Sequence, residues 1–136
     1  MRDLQMEGVY KALRRDGQGW VEGYFYLNTN ETPLISSFLC DENSDTTLEL
    51  EIDPSALCRY ADTEDRNGRP IFENDIIRIT GKGERLVKWS MKNLAWMYSA
   101  NSEKPYNDYG GYLSEIPRLN ITVIGNLFNE RNRTED

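Results

Sequence analysis

The clearest pattern along the chain is a strict alternation of apolar and polar residues between Thr46 and Ile52. Leu48, Leu50 and Ile52 fall on one side of an extended backbone, and threonine and glutamate residues fall on the other. A period of two is typical of a strand with one buried face. Apolar runs bounded by polar turns predict further strands at residues 6–13, 20–27, 34–40, 71–80, 85–91, 94–98 and 119–128.

The segments between these strands predict tight turns and one short helix. Asp16-Gly17 separates the first two strands and predicts a hairpin, because glycine adopts a positive φ at low cost. Asp53 followed by Pro54 is typical of a helix start, with aspartate as the N-cap and proline in the first turn. We therefore expect one short helix near residues 54–60. A long polar loop is predicted over residues 99–114.

The order of these elements predicts a single domain over residues 1–136. Many short strands with frequent turns favour a mostly β fold of small antiparallel barrel-like lobes. A polar, turn-rich connector at residues 62–70 separates two possible lobes, an acidic one over residues 1–60 and a second one over residues 66–129. Residues 130–136 form a charged tail that we expect to be frayed.

Charge differs between the two halves of the chain. The formal net charge is −7; residues 1–60 carry 11 acidic and 5 basic side chains, whereas residues 61–136 carry 12 and 11. Nucleic-acid binders are usually basic, because their affinity comes largely from neutralising phosphates. The overall charge therefore disfavours nucleic acid as a partner, although one segment of the second half is locally basic.

This basic segment runs from Arg78 to Lys92 and lies close in sequence to Trp89, Trp96 and Tyr98. Basic and aromatic side chains together can follow a nucleic-acid strand. The alternative is that the aromatic residues fill the core while the lysines cover the outer face. The candidate contact residues for nucleic acid or a protein partner are Arg78, Lys82, Arg85, Lys88, Lys92, Tyr106 and Tyr109.

Candidate catalytic chemistry is sparse. The chain has no histidine, the commonest general base and metal ligand, and no glycine-rich loop that leads into a helix. Asp65, Glu73 and Asp75 allow a Mg²⁺-dependent hydrolase as a hypothesis. Their turn-forming neighbours favour a structural role instead. We therefore predict a non-enzyme without catalytic residues, metal or cofactor.

The two cysteines and the N-terminus indicate a reducing compartment. Cys40 and Cys58 do not form a C-x-x-C motif and are expected to be reduced thiols, with a disulfide as the alternative. No apolar run follows the charged N-terminus, and no window has the length of a membrane span. We expect a cytoplasmic location, in a bacterial or phage-infected host cell, and no membrane partner.

Residues 65–77 read DRNGRPIFENDII and resemble the central motif of the YopX family of phages and prophages, roughly D-x-N-G-x-x-I-Y-E-G-D-I-V. Residues 19–24, 52–55 and 123–130 are similar to other family segments, in the same order and spacing. The resemblance implies a mostly β fold and a mobile-element origin, and it implies no activity. The motif residues for which we expect a structural role are Asn67, Gly68, Asp75, Gly125 and Asn126.

The chain departs from the family pattern at three places. Ala61-Asp62 stands where Thr-Gly is usual, and Asn74 replaces a glycine. Asparagine tolerates left-handed backbone better than most residues, so we expect the turn at Asn74 to be kept. Phe72 replaces a tyrosine, which argues against acid–base chemistry at that position.

These observations together predict a non-enzymatic binding or self-associating protein of phage origin. Its partner is expected to be a second copy, which would give a homo-oligomer, or another protein. The alternative is a small nucleic-acid-binding module that uses the basic and aromatic segment from Arg78 to Lys92.

Overall fold

The computed structural model describes residues 9–40, 47–101 and 108–129. The chain divides into two compact units, Met1–Tyr60 and Ala61–Asp136. Regular structure in the described ranges is mostly β, which confirms the predicted class. Every strand pairing seen in those ranges is antiparallel.

The first unit is an antiparallel meander. Its strands are β1 (Val9–Leu13), β2 (Trp20–Leu27), β3 (Pro33–Cys40) and β4 (Thr47–Glu51), in the spatial order β4-β3-β2-β1. The hairpin predicted at Asp16-Gly17 joins β1 to β2, and Gly17 has a φ of +80°. One face of the sheet carries the buried core residues Ala12, Val21, Ile35 and Ile52.

The predicted short helix is a single 3-10 turn, Pro54–Ala56. Asp53 caps it as expected, since its carboxylate accepts a hydrogen bond from the N–H of Ser55 at 3.0 Å. The turn does not extend to residue 60, because strand β5 (Cys58–Glu64) begins two residues later and pairs with β1. Cys58 is a buried thiol, whereas the side chain of Cys40 lies outside the described part of the chain.

The second unit contains a five-stranded sheet in the order β10-β9-β8-β7-β11. The strands of this sheet are β7 (Asp75–Ile79), β8 (Gly83–Ser90), β9 (Ala95–Ser99), β10 (Tyr109–Tyr112) and β11 (Ile121–Asn126). A further strand of the unit, β6 (Pro70–Phe72), is hydrogen-bonded to β5 instead. Two 3-10 turns, Leu113–Glu115 and Arg118–Asn120, lie between β10 and β11. The core residues are Ala61, Ile71, Ile77, Ile79, Val87, Tyr98, Leu113, Ile121 and Val123.

Several predicted boundaries in this unit were wrong. The polar connector at residues 62–70 is a hairpin, because β5 continues to Glu64 and β6 returns from Pro70. The strand predicted over residues 71–80 is two strands, since Asn74 takes a φ of +70° and turns the chain between them.

Two further predictions in the second unit need correction. Part of the predicted loop over residues 99–114 is strand β10, which pairs with β9. Leu94, predicted to begin a strand, lies in the turn before β9 with a φ of +50°.

The expected barrel closure is not found in the described ranges. The five-stranded sheet ends at β10 on one side and at β11 on the other, and the remaining strands form the order β4-β3-β2-β1-β5-β6. Closure would require pairing between the first and last strands of a sheet. The lobes are therefore built on open antiparallel sheets.

Candidate functional site

Asp65 stands at the first position of the turn between β5 and β6 and is fully buried. Its Oδ1 accepts hydrogen bonds from the N–H groups of Asn67 and Arg69, each at 2.9 Å. Its Oδ2 accepts one from the N–H of Val123 in β11, also at 2.9 Å. One carboxylate therefore shapes the turn and attaches it to a strand far away in sequence.

The same turn covers the outer edge of β11. The N–H of Arg66 donates to the carbonyl of Ile121 at 2.9 Å, and Arg69 Nη1 donates to the carbonyl of Val123 at 3.4 Å. Exposed strand edges are templates for unwanted pairing with other chains. Residues 65–69 remove that template by occupying the backbone groups of the edge.

The pKa of Asp65 reflects these contacts. Burial raises the pKa, but the hydrogen bonds from Val123, Arg69 and Asn67, together with the charge of Arg69, lower it by more. The pKa therefore lies below its ordinary value of 3.8, and the carboxyl group is ionised at neutral pH. A general acid needs a raised pKa, so this environment is suited to structure rather than to proton donation.

Asp75 and Asn126 form a second buried polar pair. Asp75 Oδ2 accepts a hydrogen bond from the N–H of Phe72 at 2.8 Å, and its Oδ1 accepts one from Asn126 Nδ2 at 2.9 Å. Asn126 Oδ1 in turn accepts the N–H of Phe128 at 2.9 Å. The pair joins the turn before β7 to the end of β11.

The acidic residues considered for a metal site are not arranged as one. Asp65 and Asp75 are both fully buried and direct their oxygens at N–H donors, whereas Glu73 is only partly buried. Across residues 9–40, 47–101 and 108–129, no three carboxylate or thiol side chains converge as a metal site would require.

The basic residues predicted as one face are distributed over both faces of the sheet. Arg85 and Lys88 are three residues apart on β8, so their side chains point in opposite directions. The Arg85 guanidinium donates to the carbonyls of Lys82, Ser99 and Ala100. Arg78 forms an ion pair with Glu84 at 3.3 Å. A continuous cationic face is therefore not formed by these residues.

Lys88 and Tyr109 do come together. Lys88 Nζ lies 5.0 Å from the centre of the Tyr109 ring, and the Tyr109 hydroxyl donates to the carbonyl of Trp89 at 3.2 Å. Lys82 and Lys92 lie in exposed turns. Tyr106, the remaining predicted contact residue, lies outside the described residues.

An exposed apolar tip lies in the turn between β8 and β9. We call Met91, Lys92, Asn93 and Leu94 the hairpin tip. Met91 is 75% exposed and Leu94 is 70% exposed, although both side chains are large and apolar.

The conformation of the hairpin tip is held by polar contacts from neighbouring residues. Ser90 Oγ accepts the N–H of Asn93 at 3.0 Å, and the Trp89 indole donates to the sulfur of Met91 at 3.2 Å. Trp89 also packs edge-on against Trp96, with 5.2 Å between the ring centres. The tip therefore projects from the sheet in a defined shape.

The first unit contains a groove on its sheet. This N-terminal groove has a volume of about 330 Å³ and is lined by Arg14, Trp20, Val21, Glu22, Ser37, Leu48 and Leu50. A neighbouring cavity of about 350 Å³ shares Leu50 and is lined by Arg15, Asp16, Glu49 and Glu51. Four of the seven residues that line the groove are apolar, and the groove and the neighbouring cavity together are lined by four carboxylates and two guanidinium groups.

Two of the surrounding carboxylates are fixed by neighbours. Asp16 forms an ion pair with Arg14 at 2.6 Å, and this hydrogen bond, with that from the N–H of Gln18, lowers the pKa of Asp16. Glu49 accepts hydrogen bonds from the hydroxyls of Tyr26 and Ser36, and the bond to Glu49 raises the pKa of Tyr26.

A family model described as YopX protein matches residues 15–135. The chain belongs to the YopX family. The match covers nearly the whole chain and agrees with the resemblance carried by residues 65–77. A comparison with curated proteins finds no match. Among the described residues, no helix has the length and apolar character to cross a membrane.

The YopX motif positions coincide with special backbone conformations. Gly68 has a φ of +80°, and the pairing of β11 with β7 shifts register between Val123 and Gly125. Asp62 and Asn74, which stand where the family pattern has glycine, have φ values of +63° and +70°. Left-handed backbone explains why glycine is usual at both places.

Sequence reasoning missed the hairpin tip and the N-terminal groove. Apolar alternation up to Tyr98 predicts that Leu94 belongs to a strand, and the alternation around Leu48 and Leu50 predicts a buried face. Asn93, a common turn residue, is the available signal for the tip. The groove has no local signal, because its lining comes from three strands and a turn.

Proposed function

We propose that this YopX chain is a non-enzymatic binding or self-associating module of phage or prophage origin that acts in the cytoplasm of a bacterial cell. The observation that carries the proposal is the hairpin tip, where Met91 and Leu94 hold large apolar side chains in solvent. Exposed apolar patches with polar rims are typical of protein-contact sites. The tip is the contact surface in this proposal, and its partner is a protein.

The polar residues of the YopX motif support a non-enzymatic role. Asp65, Asp75 and Asn126 are buried and hydrogen-bonded to backbone or to each other. Catalytic carboxylates need access to a substrate and a pKa suited to proton transfer. Residues whose oxygens already accept internal N–H groups are suited to holding turns.

A nucleic-acid-binding module is the alternative function, and the positions of the cations give it less support. Arg78 is paired with Glu84, and Arg85 donates to backbone carbonyls. Lys88, which lies beside Tyr109, and Lys92 remain as candidates. Two lysines on a chain of net charge −7 make a weak electrostatic footprint.

Site-specific photo-cross-linking tests the proposed contact surface. A photoreactive phenylalanine analogue is placed at position 91 of the full chain, and in a separate protein at position 119, in a bacterial host. Leu119 is a matched control, because it is 69% exposed and belongs to the same unit as the tip. Irradiation is expected to give a discrete cross-linked protein product from position 91 and none from position 119.

The test has a second comparison within the tip itself. Leu94→Asp in the position-91 protein should abolish the product, because a buried carboxylate would oppose docking. Equal labelling from positions 91 and 119, or a product that Leu94→Asp leaves unchanged, would refute the tip as the contact surface.

A further inference from the structure

We infer that the hairpin tip of one chain docks into the N-terminal groove of a second copy. The inference rests on the proposed function, which it deepens by naming the partner and the two surfaces. Three properties of the chain carry it: strain and exposure at the tip, the size and lining of the groove, and opposite charges around them.

Leu94 combines an unfavourable backbone conformation with an exposed apolar side chain. It is a bulky residue with a φ of +50°, a conformation that costs residues other than glycine roughly 1–2 kcal/mol. It is also 70% exposed, so burial within its own chain does not compensate for that cost. Strained backbone of this kind concentrates at functional sites, where another interaction benefits from it. Docking of the leucine side chain into a partner supplies such an interaction.

The N-terminal groove has suitable size and chemistry for the tip. Its volume of about 330 Å³ is roughly twice that of the apolar cavity of ~150 Å³ that holds benzene. Trp20, Val21, Leu48 and Leu50 supply apolar wall, and Leu48 is 43% exposed. The side chains of Met91 and Leu94 would therefore exchange water for apolar contact.

Charges around the two surfaces are complementary. Lys92 belongs to the tip, and Lys88 lies on the strand that leads into it. Around the groove and the neighbouring cavity are four carboxylates, from Asp16, Glu22, Glu49 and Glu51, and two guanidinium groups, from Arg14 and Arg15. Opposite potentials favour the encounter of the two surfaces and disfavour tip-to-tip contact.

The contact is heterologous, because it joins two different surfaces of the same chain. Such contacts produce closed rings or open filaments, depending on the rotation between copies. A chain with a disabled tip still offers its groove, and a chain with a disabled groove still offers its tip. Mixing a tip variant with a groove variant should therefore restore association. A symmetric dimer that joins like surfaces would not be restored in this way.

The test measures the mass of the full chain and its variants by light scattering after size-exclusion chromatography. The wild-type chain is expected to assemble, whereas Leu94→Asp and Leu48→Asp should each be monomeric. An equimolar mixture of the two variants should form a complex of twice the chain mass and grow no further. Leu119→Asp and Leu27→Asp are controls, because these leucines are 69% and 56% exposed and lie outside both surfaces.

A charge exchange repeats the test without changing an apolar residue. Lys92→Glu and Glu22→Lys should each weaken wild-type assembly, and mixing the two variants should restore association. Both changes are at exposed positions, so the fold should be retained.

Several outcomes would overturn the inference. These are a wild-type chain that stays monomeric, variants that do not complement each other, or controls that disrupt assembly equally. If complementation fails while position 91 still cross-links to a different protein, self-docking is refuted and the proposed binding function stands. Complementation without any second protein in the cross-linked product supports the inference.

Discussion

At the scale of single residues, Asp65 is the position where the YopX motif is most clearly explained by physics. Its carboxylate accepts three backbone N–H groups, two from its own turn and one from Val123. Only a group with two accepting oxygens and no donor can satisfy all three at once. This requirement explains aspartate at a fully buried position, where a charge is otherwise costly.

Asp65→Asn is expected to destabilise the second unit by about 3 kcal/mol at neutral pH. Whichever way the amide is turned, its NH₂ group faces a backbone donor. The folded-state pKa of Asp65 is depressed, so its stabilisation is complete above the ordinary value of 3.8 and is lost as the pH falls through the lower folded value. The difference between wild type and variant should therefore shrink in acid.

Urea unfolding at several pH values, followed by tryptophan fluorescence, measures this effect. A Trp20→Phe background restricts the signal to Trp89 and Trp96, both in the second unit. Glu115→Gln, an exposed change in the same unit, is the control. A stability difference between the wild type and the Asp65→Asn variant that stays constant down to about pH 3 would contradict a charge-based role.

At the scale of elements, the two edges of the five-stranded sheet are protected in different ways. Residues 65–69 cover β11 through hydrogen bonds to Ile121 and Val123. The opposite edge is β10, a strand of four residues whose pairing with β9 is irregular between Tyr109 and Gly111. Short and bulged edges are poor templates for further strands. Neither edge of this sheet is therefore well suited to pairing with a further strand.

Gly111 in β10 should not tolerate a side chain. A Cβ there would lie 2.5 Å from the Tyr98 hydroxyl and 2.9 Å from Cζ of that ring. Gly111→Ala is therefore expected to cost about 1–3 kcal/mol and to loosen β10 from β9. Addition of Tyr98→Phe should recover part of the loss, because it removes the nearest atom.

Hydrogen exchange at the β9 and β10 amides and urea unfolding measure the effect of Gly111→Ala. Gly125→Ala is the matched control, since a Cβ there meets no atom within 4 Å and its backbone is not left-handed. Equal stability losses at Gly111 and Gly125 would show that contact with Tyr98 is not the reason for glycine in β10.

At the scale of the whole molecule, the net charge determines which classes of partner the chain attracts or repels. The net charge of −7 is concentrated in residues 1–60, where acids outnumber bases by 11 to 5. The long-range field of such a chain disfavours polyanions and favours basic partners. By the same reasoning, the acidic first unit of one copy would attract the basic hairpin tip of a second copy.

The chain is expected to have no measurable affinity for single-stranded DNA, double-stranded DNA or RNA, even at low ionic strength. Phosphate binding needs several available cations, whereas Arg78 is paired with the Glu84 carboxylate and the Arg85 guanidinium already donates to backbone carbonyls. Fluorescence anisotropy with labelled oligonucleotides at about 50 mM salt measures this directly. Binding that falls with salt and is weakened by Lys88→Glu would favour the nucleic-acid alternative instead.

Local sequence rules were sufficient wherever neighbouring residues decide the backbone. The β1–β2 hairpin at Gly17 and the N-cap at Asp53 were predicted in this way, because each depends on a few adjacent residues. The left-handed turn at Asn74 was expected from the family resemblance, whereas the apolar pattern alone predicted an unbroken strand over residues 71–80. The same rules also bear on the basic segment, since alternation along β8 already separates Arg85 from Lys88. The run of charges in the sequence therefore does not correspond to a single face of β8.

Only the tertiary structure decided which residues meet across long distances in the chain. Val123, 58 residues away in sequence, is the third partner of Asp65. Because its N–H donates to the Asp65 carboxylate, this acidic turn residue also attaches the turn to the edge of β11. The exposure of Leu94 and the groove beside Leu48 also depend on how whole strands are paired.

The amino-acid sequence by itself thus determined the family, the mostly β class and the main turns, because these follow from local patterns and motif spacing. It did not determine the openness of the sheets, the role of Asp65 or the candidate docking surfaces. Those depend on strand pairing and burial, which are properties of distant residues brought together by the fold.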